Sequence, residues 1–205
     1  MQMVTAARRL SSMGLNPGRS GNLSARIADG FIVTPSGAPY ETLNPDDLVS
    51  LDPSGENAGG QGRPSSEWRL HRDLYALRPE AGAVVHTHSP YATTLACLGR
   101  GIPSFHYEVA FAGGKDIHCA PYATFGTQAL SDHAVTALQG RRACLLANHG
   151  AVALGETLED AVGLAEKVES LARLYWQALQ IGEPTLLSEV EMKHVVEKFK
   201  HYGRR

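Results

Sequence analysis

Residues 81–90 read Ala81-Gly82-Ala83-Val84-Val85-His86-Thr87-His88-Ser89-Pro90. The apolar run Ala81 to Val85 predicts a buried β-strand, and Pro90 stops it. Alternate residues of a strand point to one face, so His86 and His88 stand side by side, about 6.6 Å apart along the backbone. Two neutral imidazoles on one face begin a zinc site, which takes nitrogen ligands at about 2.0–2.1 Å. A hydrogen-bonded core pair is the plainer reading of the same spacing. A third ligand and a nearby acid or base would decide between the two.

Working outward, this strand sits between helical and strand-like segments. Upstream, "SEWRLHRDLYALR" carries Trp68, His71, Leu74, Tyr75 and Arg78 at three- and four-residue steps, and Ser65 or Ser66 is its expected N-cap. Downstream, "SPYATTLACLG" reads as a helix closed by Gly99. "NLSARIADGFIVTPSG" contains two strand-like runs around the hairpin signal Asp29-Gly30. "TQALSDHAVTALQG" is a helix ending at Gly140, and "ACLLANHGAVAL" is two strands joined at Asn148-His149-Gly150. A long helix runs from Thr157 to Gly182, with Val162, Ala165, Val168, Leu171 or Ala172, and Tyr175 as its core stripe. Ser188 and Glu191 form a capping-box pattern opening a last helix toward Phe199 and Tyr202. The expected fold is a layered α/β domain whose hairpins rule out a purely parallel sheet.

At 205 residues the chain suits one domain with a substantial core. The net charge is −2 without a Lys/Arg cluster, which argues against nucleic acid as a partner. An anionic substrate would have to be attracted locally. No apolar run approaches the ~20 residues of a membrane span. The opening "MQMVTAARRLSSMGL" lacks a continuous apolar stretch and reads as an amphipathic helix rather than a signal peptide. Cys97, Cys119 and Cys144 are odd in number and far apart; buried reduced thiols are expected, which suits a cytoplasmic protein.

Three further features can carry chemistry. His149 stands at a tight turn between two apolar strands, either as a turn histidine bonded to backbone or as a third metal ligand. Three histidines would leave zinc one open position, the arrangement of a catalytic site. Glu67 is either a first-turn glutamate favoured by the helix dipole or a general base near the metal. Ser65 and Ser66 at a helix start, with the turns "RSGNLSAR" and "TPSG", offer hydroxyls and N–H groups to an anion.

The segments "SGNLSAR", "TPSG", "PSSEWRLH", "VVHTHSPYAT", "IPSFHYEVA", "CAPYATFGT", "LLANHG" and "EKFKHYG" together resemble the class II aldolase/adducin family in order and spacing. The likeness covers nearly the whole chain. It implies a single catalytic domain over residues 1–205, three-layer α/β/α with a largely antiparallel central sheet, assembled as a C4 homotetramer. It implies zinc, or another divalent metal, on His86, His88 and His149. Glu67 matches the catalytic glutamate, which can also fill the fourth metal position at rest. Asn22, Ser36, Gly37, Ser65 and Ser66 match phosphate-binding turns, and Tyr107 matches a proton donor. Phe125 matches an apolar wall at the aldehyde end, and Tyr202 a tail tyrosine reaching a neighbouring subunit's site. By residue type alone, Tyr107 and Phe125 would pass as core aromatics.

The implied reaction is retro-aldol cleavage of a ketulose 1-phosphate, with dihydroxyacetone phosphate and a small aldehyde as products. The substrate would be a 6-deoxyhexulose, 5-deoxypentulose or 5-methylthiopentulose 1-phosphate. Alternatives within the superfamily are a methylthioribulose-phosphate dehydratase and a pentulose-phosphate 4-epimerase. A non-catalytic adducin-type module is a further one. The implied partners are a small phosphorylated sugar and other copies of the chain, with neither nucleic acid nor membrane.

Overall fold

A computed structural model describes residues 2–58 and 62–199. Seven strands form one sheet: β1 Asn22–Ile27, β2 Gly30–Val33, β3 Val49–Leu51, β4 Ala83–Thr87, β5 His118–Ala120, β6 Ala143–Leu146 and β7 Gly150–Gly155. The helices are α1 Gln2–Ser12, α2 Trp68–Leu77, α3 Pro90–Cys97, α4 Gln128–Ala137, α5 Leu158–Ile181 and α6 Glu189–Phe199. The strand order is β3-β2-β1-β4-β7-β6-β5. Every pairing is antiparallel except β5 with β6. The sheet is therefore mixed and mostly antiparallel, as the hairpin signals required.

Strand β4 lies at the centre, and all five of its residues are buried. Its side chains alternate between two apolar clusters. Ala83 and Val85 join one with α1, α3 and α5 residues, including Leu10, Leu95 and Leu171. Val84 joins the other with Leu70 and Leu74 of α2 and Leu130 of α4. Each large aliphatic side chain buried in these clusters contributes about 1.5–3 kcal/mol. The same alternation puts His86 on the Val84 face, toward α2.

Several local readings hold. Thr157 caps α5: its hydroxyl accepts from Asp160 N at 3.2 Å, and the Asp160 carboxylate accepts from Thr157 N at 3.1 Å. Val162, Ala165, Val168, Leu171 and Ala172 are all buried. Helix α3 ends just before Gly99, which adopts φ 62°. Other readings are corrected. Neither Ser65 nor Ser66 caps α2: the helix begins at Trp68 with Glu67 in the cap position. The Ser65 hydroxyl instead accepts from Glu67 N at 3.3 Å. The β1–β2 hairpin turns at Ala28-Asp29, because Ile27 pairs with Gly30. The cysteines are not uniformly buried: Cys144 is, Cys119 is half-buried, and Cys97 is exposed at the end of α3.

Candidate metal centre and active site

His86 is the fourth of the five buried residues of β4, and His88 directly follows the strand. His149 sits in the β6–β7 turn, where Asn148 takes the left-handed φ of 55°. Gly150, next in line, is required by packing: a Cβ there would lie 2.2 Å from Thr87 O. That close approach brings the turn onto the end of β4. The three imidazole rings gather at centroid distances of 4.8–4.9 Å, nearly edge to face. Their ligand nitrogens lie within 4.8 Å of one another, and His86 Nε2 stands 2.9 Å from His88 Nε2.

The donor chemistry suits a divalent cation. His86 Nδ1 lies 3.0 Å from Ala151 O, so Nδ1–H donates there and Nε2 is turned to the centre. Burial holds His88 down at about 3 and His149 at about 4, with His86 as the next cause in both, so both rings are neutral near pH 7. Neutral imidazoles are the form that binds metal.

Glu67 reaches this triad from the start of α2. Its Oε2 lies 3.2 Å from His86 Nε2 and accepts from Asn22 Nδ2 at 2.9 Å. Its Oε1 lies 3.4 Å from His149 Nε2 and has no hydrogen bond, although it is buried. Burial alone would raise the Glu67 pKa, but the contact with His86, whose own pKa Glu67 raises against the cost of burial, together with His149 and Asn22 outweighs it and holds the carboxylate ionised; a cation on the triad would take the place of the His86 proton. An unpartnered, buried carboxylate oxygen beside three imidazoles is a group waiting for a ligand or a proton.

A cavity of about 350 Å³ opens over Glu67, His88 and His149. Ser36, Gly37, Ser65, Ser66 and the Ser20-Gly21 turn line its other side. These turns are laced together: Ser65 N donates to Thr34 O at 3.1 Å, and Ser36 N to Arg63 O at 3.0 Å. Asn22 also lines the cavity, but its amide is engaged inward on both sides, by Glu67 and by His71. Phe125 and Tyr122 form an exposed aromatic rim to the same cavity. The Phe125 loop is pressed onto the turn before α2, since a Cβ on Gly126 would meet Ser66 O at 2.8 Å. A larger cleft of about 840 Å³ follows β5 but shares none of these residues.

Nine of the residues singled out in the sequence thus converge: His86, His88, His149, Glu67, Asn22, Ser36, Gly37, Ser65 and Ser66, with Phe125 at the rim. Tyr107 does not line this cavity; it is half exposed and stacks against Phe199 at 6.1 Å. Tyr202 lies outside the described residues. Three participants were not singled out. Arg19 and Tyr122 line the cavity, and His71 lies buried behind Asn22. Arg19 opened a quoted turn that was read only for its uncharged groups. His71, four residues after Glu67, was named in the sequence only for its helical spacing on α2.

Residues 1–176 match the family described as Class II Aldolase and Adducin N-terminal domain. The chain belongs to the class II aldolase and adducin family. A relative in Rhodospirillum rubrum, a 5-methylthioribulose-1-phosphate/5-deoxyribulose-1-phosphate aldolase, is 56% identical over 98% of this chain and 90% of its own length. The L-fuculose phosphate aldolase of Escherichia coli K12 is 47% identical, covering 100% of this chain and 95% of its own. A solved L-fuculose 1-phosphate aldolase superposes with a TM-score of 0.94 at 40% identity, over 97% of this chain and 94% of its own. This member of the family is an enzyme of the class II aldolase type, a lyase.

Proposed function

We propose that this aldolase cleaves a ketulose 1-phosphate between C3 and C4, with zinc on His86, His88 and His149. The observation that carries the reading is a single cavity lined by Glu67, two of the three histidines and the hydroxyls of Ser36, Ser65 and Ser66. Bound there, the cation would supply Lewis-acid polarisation of the substrate carbonyl. The serine turns and Gly37 hold the phosphate through hydroxyls and N–H groups, with Arg19 the one Lys or Arg among the described residues that line the cavity. When the C3–C4 bond breaks, the C4 hydroxyl loses its proton and the C4 fragment leaves as an aldehyde. Glu67, ionised at rest, takes up a proton from water on Oε1 and delivers it to C3, and dihydroxyacetone phosphate is released. Phosphate held at the far end supplies positioning energy for this step.

In this reading Tyr107 of a neighbouring copy takes the C4 proton while its own phenol proton passes to water, and it donates in the reverse, bond-forming direction. Tyr107 is exposed and lies outside its own chain's cavity, and Phe199 stacks on it three residues before Tyr202. That patch suits a C4 homotetramer with active sites between subunits. The remaining expectations are proposed with it: one domain of three layers over the whole chain, in the cytoplasm. Among substrates, 5-deoxyribulose and 5-methylthioribulose 1-phosphates come first, because the Rhodospirillum relative named for them is more alike than the fuculose enzyme. The rim of Phe125 and Tyr122 suits their apolar C5 groups.

The test is to incubate the purified protein with L-fuculose, 5-deoxyribulose and 5-methylthioribulose 1-phosphates and to identify products. Dihydroxyacetone phosphate should form, should cease on chelation and should return with zinc. Turnover of these compounds by dehydration or epimerisation, with no dihydroxyacetone phosphate, would refute the reading.

A further inference from the structure

Asn22 and Ser24 of β1 lie opposite His86 and Val84 of β4, so their side chains share the face that α2 covers. His71, four residues after Glu67 on α2, meets them there, and Tyr75 follows four residues later. Asn22, Ser24, His71 and Tyr75 are 4%, 0%, 0% and 6% exposed. Their contacts form one line: Tyr75 OH to Ser24 Oγ at 2.8 Å, Ser24 Oγ to His71 Nδ1 at 2.6 Å, His71 Nε2 to Asn22 Oδ1 at 2.5 Å, and Asn22 Nδ2 to Glu67 Oε2 at 2.9 Å.

The direction of this line follows from its acceptor end. Asn22 Nδ2 donates to Glu67 Oε2, so the amide presents its NH₂ to the carboxyl group. Its carbonyl then faces His71, and His71 Nε2 must carry the hydrogen. Complete burial, reinforced by the nearby His86, holds His71 neutral, down at about 3. A neutral ring with hydrogen on Nε2 has its lone pair on Nδ1, which accepts from the Ser24 hydroxyl. Ser24 in turn accepts from Tyr75. Every donor in the line therefore points toward Glu67. The line ends on Oε2, and Oε1 is left buried without a hydrogen bond.

We propose that His71 is a positioning residue for Glu67: through Asn22 it clamps Oε2 and reserves Oε1 as the oxygen that exchanges the proton. The proposal rests on Glu67 being the acid–base group. Without the His71 N–H, the Asn22 amide can turn over and set Oδ1 against the carboxylate, and the carboxylate loses its fixed angle. A leucine would fill the same space in α2 but could not hold the amide. A glutamine could, since its NH₂ donates to Asn22 while its carbonyl accepts from Ser24.

The experiment compares His71→Leu, His71→Gln and Glu67→Gln with the parent enzyme, using the best of the three ketulose 1-phosphates. His71→Leu should lower kcat by about 10–100-fold, with KM and bound metal within about twofold of the parent. His71→Gln should recover most of the loss. Equal losses in the two His71 variants, or a His71→Leu kcat equal to the parent's while Glu67→Gln is inactive, would overturn the proposal. An active Glu67→Gln would instead remove the acid–base reading on which it rests. Should His71→Leu not fold, nitrogen NMR of the parent protein labelled at histidine decides. Hydrogen on His71 Nε2 supports the clamp, and hydrogen on Nδ1 overturns it.

Discussion

At the scale of the residue, histidines in four settings share one small volume and are put to two uses. His86, His88 and His149 turn nitrogens to a common centre, whereas His71 is sealed behind Asn22 with no open side. The sealed position has a measurable consequence. Its pKa falls from 6.5 to about 3 because burial penalises the charged ring. Below pH 6.5 the unfolded chain takes up a proton at His71 that the folded chain refuses, until pH falls to about 3. Stability contributed by neutral His71 is thus full above pH 6.5 and lost on acidification through that window. The slope approaches about 1.4 kcal/mol per pH unit. His88 and His149 add slopes of the same sign, so the comparison must be a difference. Denaturant unfolding between pH 6.5 and 4 should show a shallower acid loss in His71→Gln than in the parent. Identical slopes would mean that His71 is protonated in the folded state.

At the scale of the element, the site is mounted on ends. Glu67 is at the start of α2, His88 at the end of β4, His149 in the β6–β7 turn, and the serines in turns tied to Thr34 and Arg63. The long helix α5 packs on β4 and β7, which carry or adjoin all three histidines. Its capping box at Thr157 and Asp160 lies outside the cavity. Thr157→Ala should therefore cost about 1 kcal/mol of stability, read as a lower midpoint in urea. kcat and metal content at 25 °C should remain those of the parent. A parallel fall in kcat would tie α5 to the site more closely than packing alone requires.

At the scale of the whole molecule, Glu67 and Tyr107 belong to different surfaces of one chain, although the proposed reaction needs both. Sites shared between subunits allow complementation. Glu67→Gln and Tyr107→Phe proteins should each be nearly inactive. Mixed and reassembled, random cyclic tetramers would carry both intact groups at about a quarter of their sites. Recovered activity near that fraction supports the shared site, and a mixture as inactive as its components counts against it. The C-terminal helix has a partner within its own chain: Met192 is buried, and Phe199 stacks on Phe111 at 4.1 Å. Its docking therefore does not depend on a neighbour.

Much of this was legible because local chemistry is written in short patterns. Alternation along "AVVHTH" set His86 and His88 on one face, Thr157 announced a helix start, and hairpin signals excluded a parallel sheet. The α2 cap was misread because Ser65 has the right chemistry, yet its hydroxyl is spent on Glu67 N in the preceding turn. Cys97 looked buried among small residues, but the turn of α3 that carries it faces outward. The sequence by itself determined most element types, the three histidines that could hold a metal and, through its joint motifs, the family, since these depend on spacing along the chain. Only the tertiary structure decided what lies behind Glu67. The line from Tyr75 through Ser24, His71 and Asn22 joins residues up to 51 positions apart, and its direction comes from burial and from which atoms can donate. Neither quantity exists until β1 and α2 are packed together.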